Sequence, residues 1–336
     1  VSAVNTDAQV RPREIVEAVR RLEAGELVGL PTETVYGLAA DAENPEAVAK
    51  IYAAKGRPAD HPVIVHVHRL ADLGHWAAEV PETARQLAAA FWPGPLTLIL
   101  PRKPGVAQAC AGGQDTIGLR CPSHPVAQAV LAIFKGGQGG LAAPSANRFG
   151  RISPTTAAHV QAELGHDLLV LDGGACAVGI ESTIVDCTVQ PPRILRPGLL
   201  QAADLAAVLG VSAEALQRPA DDAPRVAGAL PAHYAPRTAL LLRTREQIHA
   251  DLAQANDTRR IGVLARHALE DGISATWMQL PDDPAGYAQR LYAALRELDQ
   301  AGLDQIWVEA LPPTQPWLAL RDRLSRAARG SGAPGN

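Results

Sequence analysis

Apolar positions recur at helical spacing from Arg13 to Gly25 (REIVEAVRRLEAG), and a glycine stop separates this segment from the continuous apolar run LVGLP. The first pattern predicts an amphipathic helix and the second a buried strand. The same reading predicts a helix from Pro45 to Ala54. It predicts strands from Pro62 to His68, Leu96 to Leu100, Thr116 to Arg120, Leu168 to Leu171, Ser182 to Cys187 and Arg193 to Leu195. Amphipathic segments alternating with short apolar runs over the first two hundred or so residues are the signature of a mixed α/β domain. No internal repeat is visible.

Between about Val211 and Pro236 the periodicity lapses into QRPADDAPRVAGALPAHYAP, where prolines, glycines and small residues deny the chain a core of its own. From Thr238 the alternation returns: TALLL, a helix near Glu246 to Ala255, IGVLA, TWMQL, a helix from Pro284 to Gly302, IWVEA, and a last helix ending in RDRLSRAARG. That pattern predicts a small parallel α/β domain of Rossmann type. It lacks a Gly-x-Gly-x-x-Gly turn after its first strand, which argues against a dinucleotide cofactor. The expected organisation is a catalytic domain over 1–210, a linker over 211–237 and a C-terminal domain over 238–330. A length of 336 residues fits, because one hydrophobic core rarely serves so long a chain.

Composition narrows the classes. With 47% apolar and 20% charged residues and no apolar run long enough to cross a bilayer, the sequence reads as soluble and globular. The first residues, VSAVNTDAQVRPRE, are polar where a secretory signal would be apolar, so a cytoplasmic location is expected. Cys110, Cys121, Cys176 and Cys187 show neither zinc-site spacing nor disulfide density and read as reduced, mostly buried thiols. A formal charge of -4 supplies no global field for nucleic acid, so any RNA contact must be local.

Three segments carry candidate chemistry. PTETVYGL, Pro31 to Leu38, follows the first strand with hydroxyl, carboxylate and glycine residues, the composition either of a ligand loop or of an ordinary turn. KGRPADHPVIVHV, from Lys55, sets two cations around a glycine between a helix and a strand, which also describes a solvated helix end. APSANRFGRISPT, Ala143 to Thr155, places Ser145 and Asn147 on one side of an extended stretch, with Ser153 ahead of another helix. Ser153 is there a candidate N-cap, a candidate phosphate contact, or both.

In order along the chain, PTETVYGL, KGRPADHP, TIGLRCPSHP, APSANRFG, GIESTIVD and ILRPG closely resemble the YrdC-like family of threonylcarbamoyl-AMP synthases, whose hallmark is a Lys-x-Arg pair with a later Ser-x-Asn. The resemblance runs from about Glu14 to Ala207, and HYAP at His233 with the α/β region after it looks like the long, two-domain form. It implies a deep, positively lined cavity in a twisted α/β domain that takes ATP, L-threonine and bicarbonate. Carried over by motif, Lys55, Arg57, Ser145 and Asn147 are the expected catalytic group, with Lys55 and Arg57 facing the ATP phosphates. Arg57, His61, Thr116, Ser145, Ser153, Arg196 and Tyr234 are the expected ATP contacts. Thr34, His66, Arg120, Ala143 and Ser182 are the expected threonine contacts, Arg120 being suited to a bidentate grip on the carboxylate. Mg2+ is expected to arrive with ATP, held by phosphates and water, with no protein metal ligand. A separate enzyme complex is expected to transfer the threonylcarbamoyl group to tRNA, leaving this chain with weak or indirect tRNA contact.

Two positions depart from the family. His61 stands where asparagine is frequent, and VAGALPA replaces a Ser-Pro-Gly-Met-Lys-Tyr-Arg run before HYAP, so both basic residues are missing. The family linker is expected to fold over the cavity mouth, with Tyr234 shielding a labile mixed anhydride from water. On local evidence alone His66 and His68, two apart, fit a satisfied hydrogen-bond network or a metal chelate, Arg196 fits an ion pair, and Ser182 fits an ordinary strand residue. Two other classes compete: an RNA-binding module, disfavoured by net acidity and few aromatics, and a carbamoyl-adenylating component, disfavoured by the lack of zinc-finger or acylphosphatase-like motifs.

Overall fold

The computed structural model describes residues 10–218, 222–253, 259–268 and 275–332. The chain divides into two compact units: residues 1–149 with 154–229, and residues 150–153 with 230–336. The sequence-expected linker thus contributes to both, and residues 219–221 within it lie outside the described residues, as do positions 254 and 255 of the helix expected near Glu246.

In the first unit, the described strands are β1 (Val28–Leu30), β2 (Gly37–Asp41), β3 (Val65–His66), β4 (Leu96–Pro101), β5 (Thr116–Arg120), β6 (Leu141–Ala142), β7 (Leu169–Val170), β8 (Thr183–Asp186) and β9 (Arg193–Arg196). They form one mixed sheet in the order β7-β1-β2-β6-β3-β5-β4-β8-β9. Its helices are α1 (Pro12–Glu23), α2 (Pro45–Lys55), α3 (Leu73–Trp76), α4 (Glu82–Phe91), α5 (Pro125–Ile133), α6 (Ala157–Leu164) and α7 (Ala202–Leu209). A large core packs α2, α4 and α7 against the sheet through residues such as Ile51, Trp76, Leu87, Leu98 and Leu205. A second joins α1 and α5 through Leu22, Leu30, Val130 and Phe134.

Helix α2 shows how local chemistry places a motif. Asn44 caps it by accepting from the amides of Glu46 and Ala47, and Pro45 fits the first turn, where its missing N–H is no loss. Gly56 ends it in the left-handed conformation (φ 61°), which glycine adopts without a Cβ clash. Lys55 is therefore the last helical residue, and Arg57 departs in a new direction.

The structure revises several expected boundaries. The strand expected from Pro62 to His68 is regular only at Val65–His66; the Val63 amide bonds instead to Cys110 O and the Val67 amide to Arg120 O. Strand β2 emerges from a segment read only as a loop motif, and all five of its residues are buried, so it shows no polar alternation to betray it. Helix α6 is capped by Thr156, whose side chain accepts from the His159 amide, so Ser153 is not the N-cap. All four cysteines are buried and free, and burial raises the thiol pKa of Cys110 to about 12 and of Cys121 to about 11.

The second unit carries strands β10 (Ala239–Arg243), β11 (Ile261–Ala265), β12 (Thr276–Gln279) and β13 (Gln305–Glu309), all parallel in the order β10-β13-β11-β12. Helices α8 (Arg245–Ala253), α9 (Pro284–Gln300) and α10 (Leu318–Gly330) accompany them. This is the small parallel α/β arrangement that the alternation predicts. Among the described residues no helix is long and apolar enough to cross a membrane.

Candidate functional site

The site grows from PTETVYGL. Thr32 Oγ1 donates to Val35 O at 2.6 Å and accepts from the Thr34 and Val35 amides at 3.2 Å, so one hydroxyl closes the turn. Beyond the turn β2 is pinned to APSAN: the Leu38 amide donates to Pro144 O, the Ala146 amide to Tyr36 O, and Gly37 bridges Ser145. Gly37 suits that approach, because a Cβ there would lie 3.1 Å from Ala143 Cβ, closer than ordinary contact.

KGRPADHP meets the same loop. Lys55 is 2% exposed, and its Nζ donates to Ser145 O and Asn147 O, each at 2.5 Å. Burial, followed by the neighbouring Arg57 charge, pushes the Lys55 pKa well down. Arg57 donates to Pro62 O at 2.8 Å and His61 O at 3.4 Å and lies over the Phe149 ring. His61 meets that ring edge-on from a half-buried position, its pKa lowered by burial and then by Arg57.

A second cluster surrounds Arg120 at the end of β5. Its Nη1 donates to Thr34 Oγ1 at 2.8 Å, and its Nη2 lies 2.6 Å from Glu33 Oε1. Glu33 Oε2 accepts in turn from the Ser123 amide at 3.1 Å. His66 pairs with Arg120 across the β3–β5 ladder; burial and then the Arg120 charge lower its pKa to about 3. It is a neutral imidazole at ordinary pH. Ala143 bonds through its amide to Ile64 O, two residues from His66, so β3, lying between β6 and β5, carries the Ala143 and Arg120 segments on its two sides.

Ser182, one residue before β8, is 1% exposed. Its hydroxyl lies 2.7 Å from Thr97 Oγ1, and Arg196 donates to its carbonyl through Nε at 3.1 Å and Nη2 at 2.9 Å. Arg196 Nη1 also donates to Ala227 O at 2.8 Å. Residues around Ala227 belong to the first unit: Val226 packs on Ile99 and Ile184, the Arg225 backbone makes two bonds with the Gln114 side chain, and Asp222 pairs with Arg193 at 2.5 Å. Thr116, half-buried, opens β5 opposite Pro101.

The remaining two expected residues belong to the second unit. Ser153 is fully buried, and its carbonyl accepts from Arg296 Nε at 3.5 Å. Tyr234, expected to lie outside either core, is 1% exposed, stacks on Tyr292 and has the Arg323 guanidinium 5.2 Å from its ring centroid.

The sequence reading missed Glu33 and Thr97. Glu33 lies inside PTETVYGL as a carboxylate between two threonines, and Thr97 is the hydroxyl within the apolar run LTLIL. Both are buried, and each touches a residue that was singled out.

Four buried cations, clustered hydroxyls and a neutral imidazole suit the binding and positioning of anionic, hydrogen-bonding ligands. The fold and the site together define a two-unit α/β protein with a cationic, hydroxyl-rich ligand site in its first unit. Residues 20–198 match the Sua5/YciO/YrdC family model, described as "Telomere recombination", and residues 200–329 match the model described as "Threonylcarbamoyl-AMP synthase, C-terminal domain". The chain belongs to the Sua5/YrdC family of threonylcarbamoyl-AMP synthases. It is 35% identical to the threonylcarbamoyl-AMP synthase of Pyrococcus abyssi, covering 97% of each chain. It is 38% identical to the enzyme of that name from Bacillus subtilis, covering 97% of this chain and 96% of that one. The crystal structure of P. abyssi Sua5 complexed with L-threonine superposes with a TM-score of 0.87 at 34% identity, covering 96% of each chain.

Proposed function

We propose that this protein condenses L-threonine, bicarbonate and ATP into threonylcarbamoyl-AMP and pyrophosphate, the first step of threonylcarbamoyladenosine formation in tRNA. The observation that carries this reading is the junction of the Lys-x-Arg and Ser-x-Asn elements at Lys55, beside an Arg120 held by Thr34 and Glu33. Likeness to enzymes of that name over nearly the whole chain supports it.

Threonine's amine combines with bicarbonate to give a carbamate and water. A carbamate oxygen then attacks the α-phosphorus of ATP, forming the mixed anhydride as the bond to pyrophosphate breaks. No covalent intermediate on the protein is required, in keeping with a site rich in fixed donors. Arg120, Thr34, His66, Ser182 and the Ala143 backbone hold threonine; Arg57, His61, Thr116, Ser145 and Arg196 of the first unit serve the nucleotide, and Asn147 completes the catalytic loop. Because Glu33 is committed to Arg120 and the Ser123 amide, the donor set fits Mg2+ carried by phosphates and water, where it would neutralise charge on the leaving group. A separate complex then moves the threonylcarbamoyl group to tRNA in the cytoplasm.

The test is pyrophosphate release from ATP and bicarbonate with and without threonine, paired with mass detection of the adduct. Threonine-dependent release with threonylcarbamoyl-AMP present is the expected result. Release that ignores threonine rejects the reading.

A further inference from the structure

Lys55 is half of the Lys-x-Arg pair in the family hallmark, yet its amino group is turned inward. With 2% of the residue exposed, Nζ sits between Ser145 O and Asn147 O at 2.5 Å, so two of its three N–H donors are spent on backbone carbonyls. The Lys55 carbonyl accepts from the Phe149 amide at 2.8 Å. One residue thus grips the loop at positions 145, 147 and 149, while its α2 backbone is anchored by the Asn44 cap and the core contacts of Ile51. Arg57 is separated from it by the left-handed Gly56 and packs on the Phe149 ring, the far end of the same loop.

We propose that Lys55 is a positioning residue, a clamp that fixes the backbone of the 145–149 loop for the nucleotide, and that it does not serve as a point charge on the phosphates. A tetrahedral ammonium on a flexible stem can aim separate N–H bonds at two carbonyls two residues apart, as Nζ does here. Without it, the Ser145 and Asn147 carbonyls both lose this donor, and the loop between them loses its tie to α2. The depressed basicity of Lys55 follows from its burial and then from the Arg57 charge, and agrees with an amine withdrawn from solvent.

The inference deepens the synthase reading, so its test has an arm that needs no turnover. Lys55→Met and Lys55→Arg are compared with the wild-type full chain by amide hydrogen exchange over 143–149 without ligand and by equilibrium binding of AMP, ADP and ATP. Exchange at the Ala146 and Phe149 amides is expected to rise by about tenfold or more in both variants. The three nucleotides are expected to weaken by one common factor of about ten or more. Lys55→Arg preserves the charge but not the geometry, and it is expected to fail like Lys55→Met; if the Met variant does not fold, the Arg variant carries the comparison. Unchanged exchange overturns the clamp, as does an affinity loss that grows with phosphate number and is rescued by arginine. Failure of the wild type to make adduct would count against the synthase reading alone, since exchange reports the clamp independently.

Discussion

Arg120 Nη2 and Glu33 Oε1 approach to 2.6 Å with side-chain exposures of 5% and 8%, yet neither atom makes an aligned hydrogen bond. The contact is a close, buried ion pair that commits the carboxylate to the guanidinium. The guanidinium is held on three sides, by Thr34 Oγ1, by Gly94 O and by Glu33, which fixes the orientation of its plane.

Removing Glu33 strands a buried cation. Glu33→Ala is expected to lower stability by about 3 to 5 kcal/mol, the usual cost of breaking a buried pair from one side. Denaturant unfolding checks this, and the Glu33→Ala/Arg120→Ala double variant should lose less than the sum of the two single variants.

Arg120 should separate the two substrates. On the synthase reading, Arg120→Lys is expected to raise the KM for threonine by about ten- to a hundredfold, because an ammonium cannot reproduce the planar fork. The KM for ATP should stay within about twofold. Steady-state pyrophosphate release, varying one substrate at a time, checks both.

His66 makes the fold acid-sensitive. Its pKa is about 3 in the folded protein against 6.5 as the ordinary value. The unfolded chain therefore binds the extra proton between those limits, so stability is present in full above about pH 6.5 and is lost as pH falls toward 3. The stability difference between pH 7.5 and pH 4.5 is expected to shrink by about 2 kcal/mol or more in a His66→Gln variant. Urea unfolding at the two pH values gives the number.

Tyr234 combines a buried ring with a positive φ of 62°. Tyr234→Ala is expected to destabilise the second unit by about 3 kcal/mol through lost packing on Tyr292 and Arg323. Tyr234→Gly, which loses the same ring but relieves a conformation that disfavours Cβ, should be no less stable than Tyr234→Ala. Thermal unfolding of both variants makes the comparison.

The sequence by itself determined the periods and the motifs. Helical spacing located α1, α2 and α9; apolar runs located β4, β5, β11 and β13; and six ordered motifs carried the family. These features are legible because they are local: a capping asparagine, a proline in the first turn and a stopping glycine act on neighbours. Strand β2 escaped because burial of all its residues erases the alternation that marks a half-buried strand. What only the tertiary structure decided is how the motifs meet. Lys55 reaches Ser145 and Asn147, Arg120 reaches Glu33 and Thr34, and Thr97 reaches Ser182 across long stretches of chain. Such pairings depend on sheet order and on hydrogen-bond geometry correct to a few tenths of an ångström, and neither is encoded in the spacing of residues along one segment. For the same reason a lysine that reads as a surface cation at a helix end becomes, once folded, a buried donor between two carbonyls.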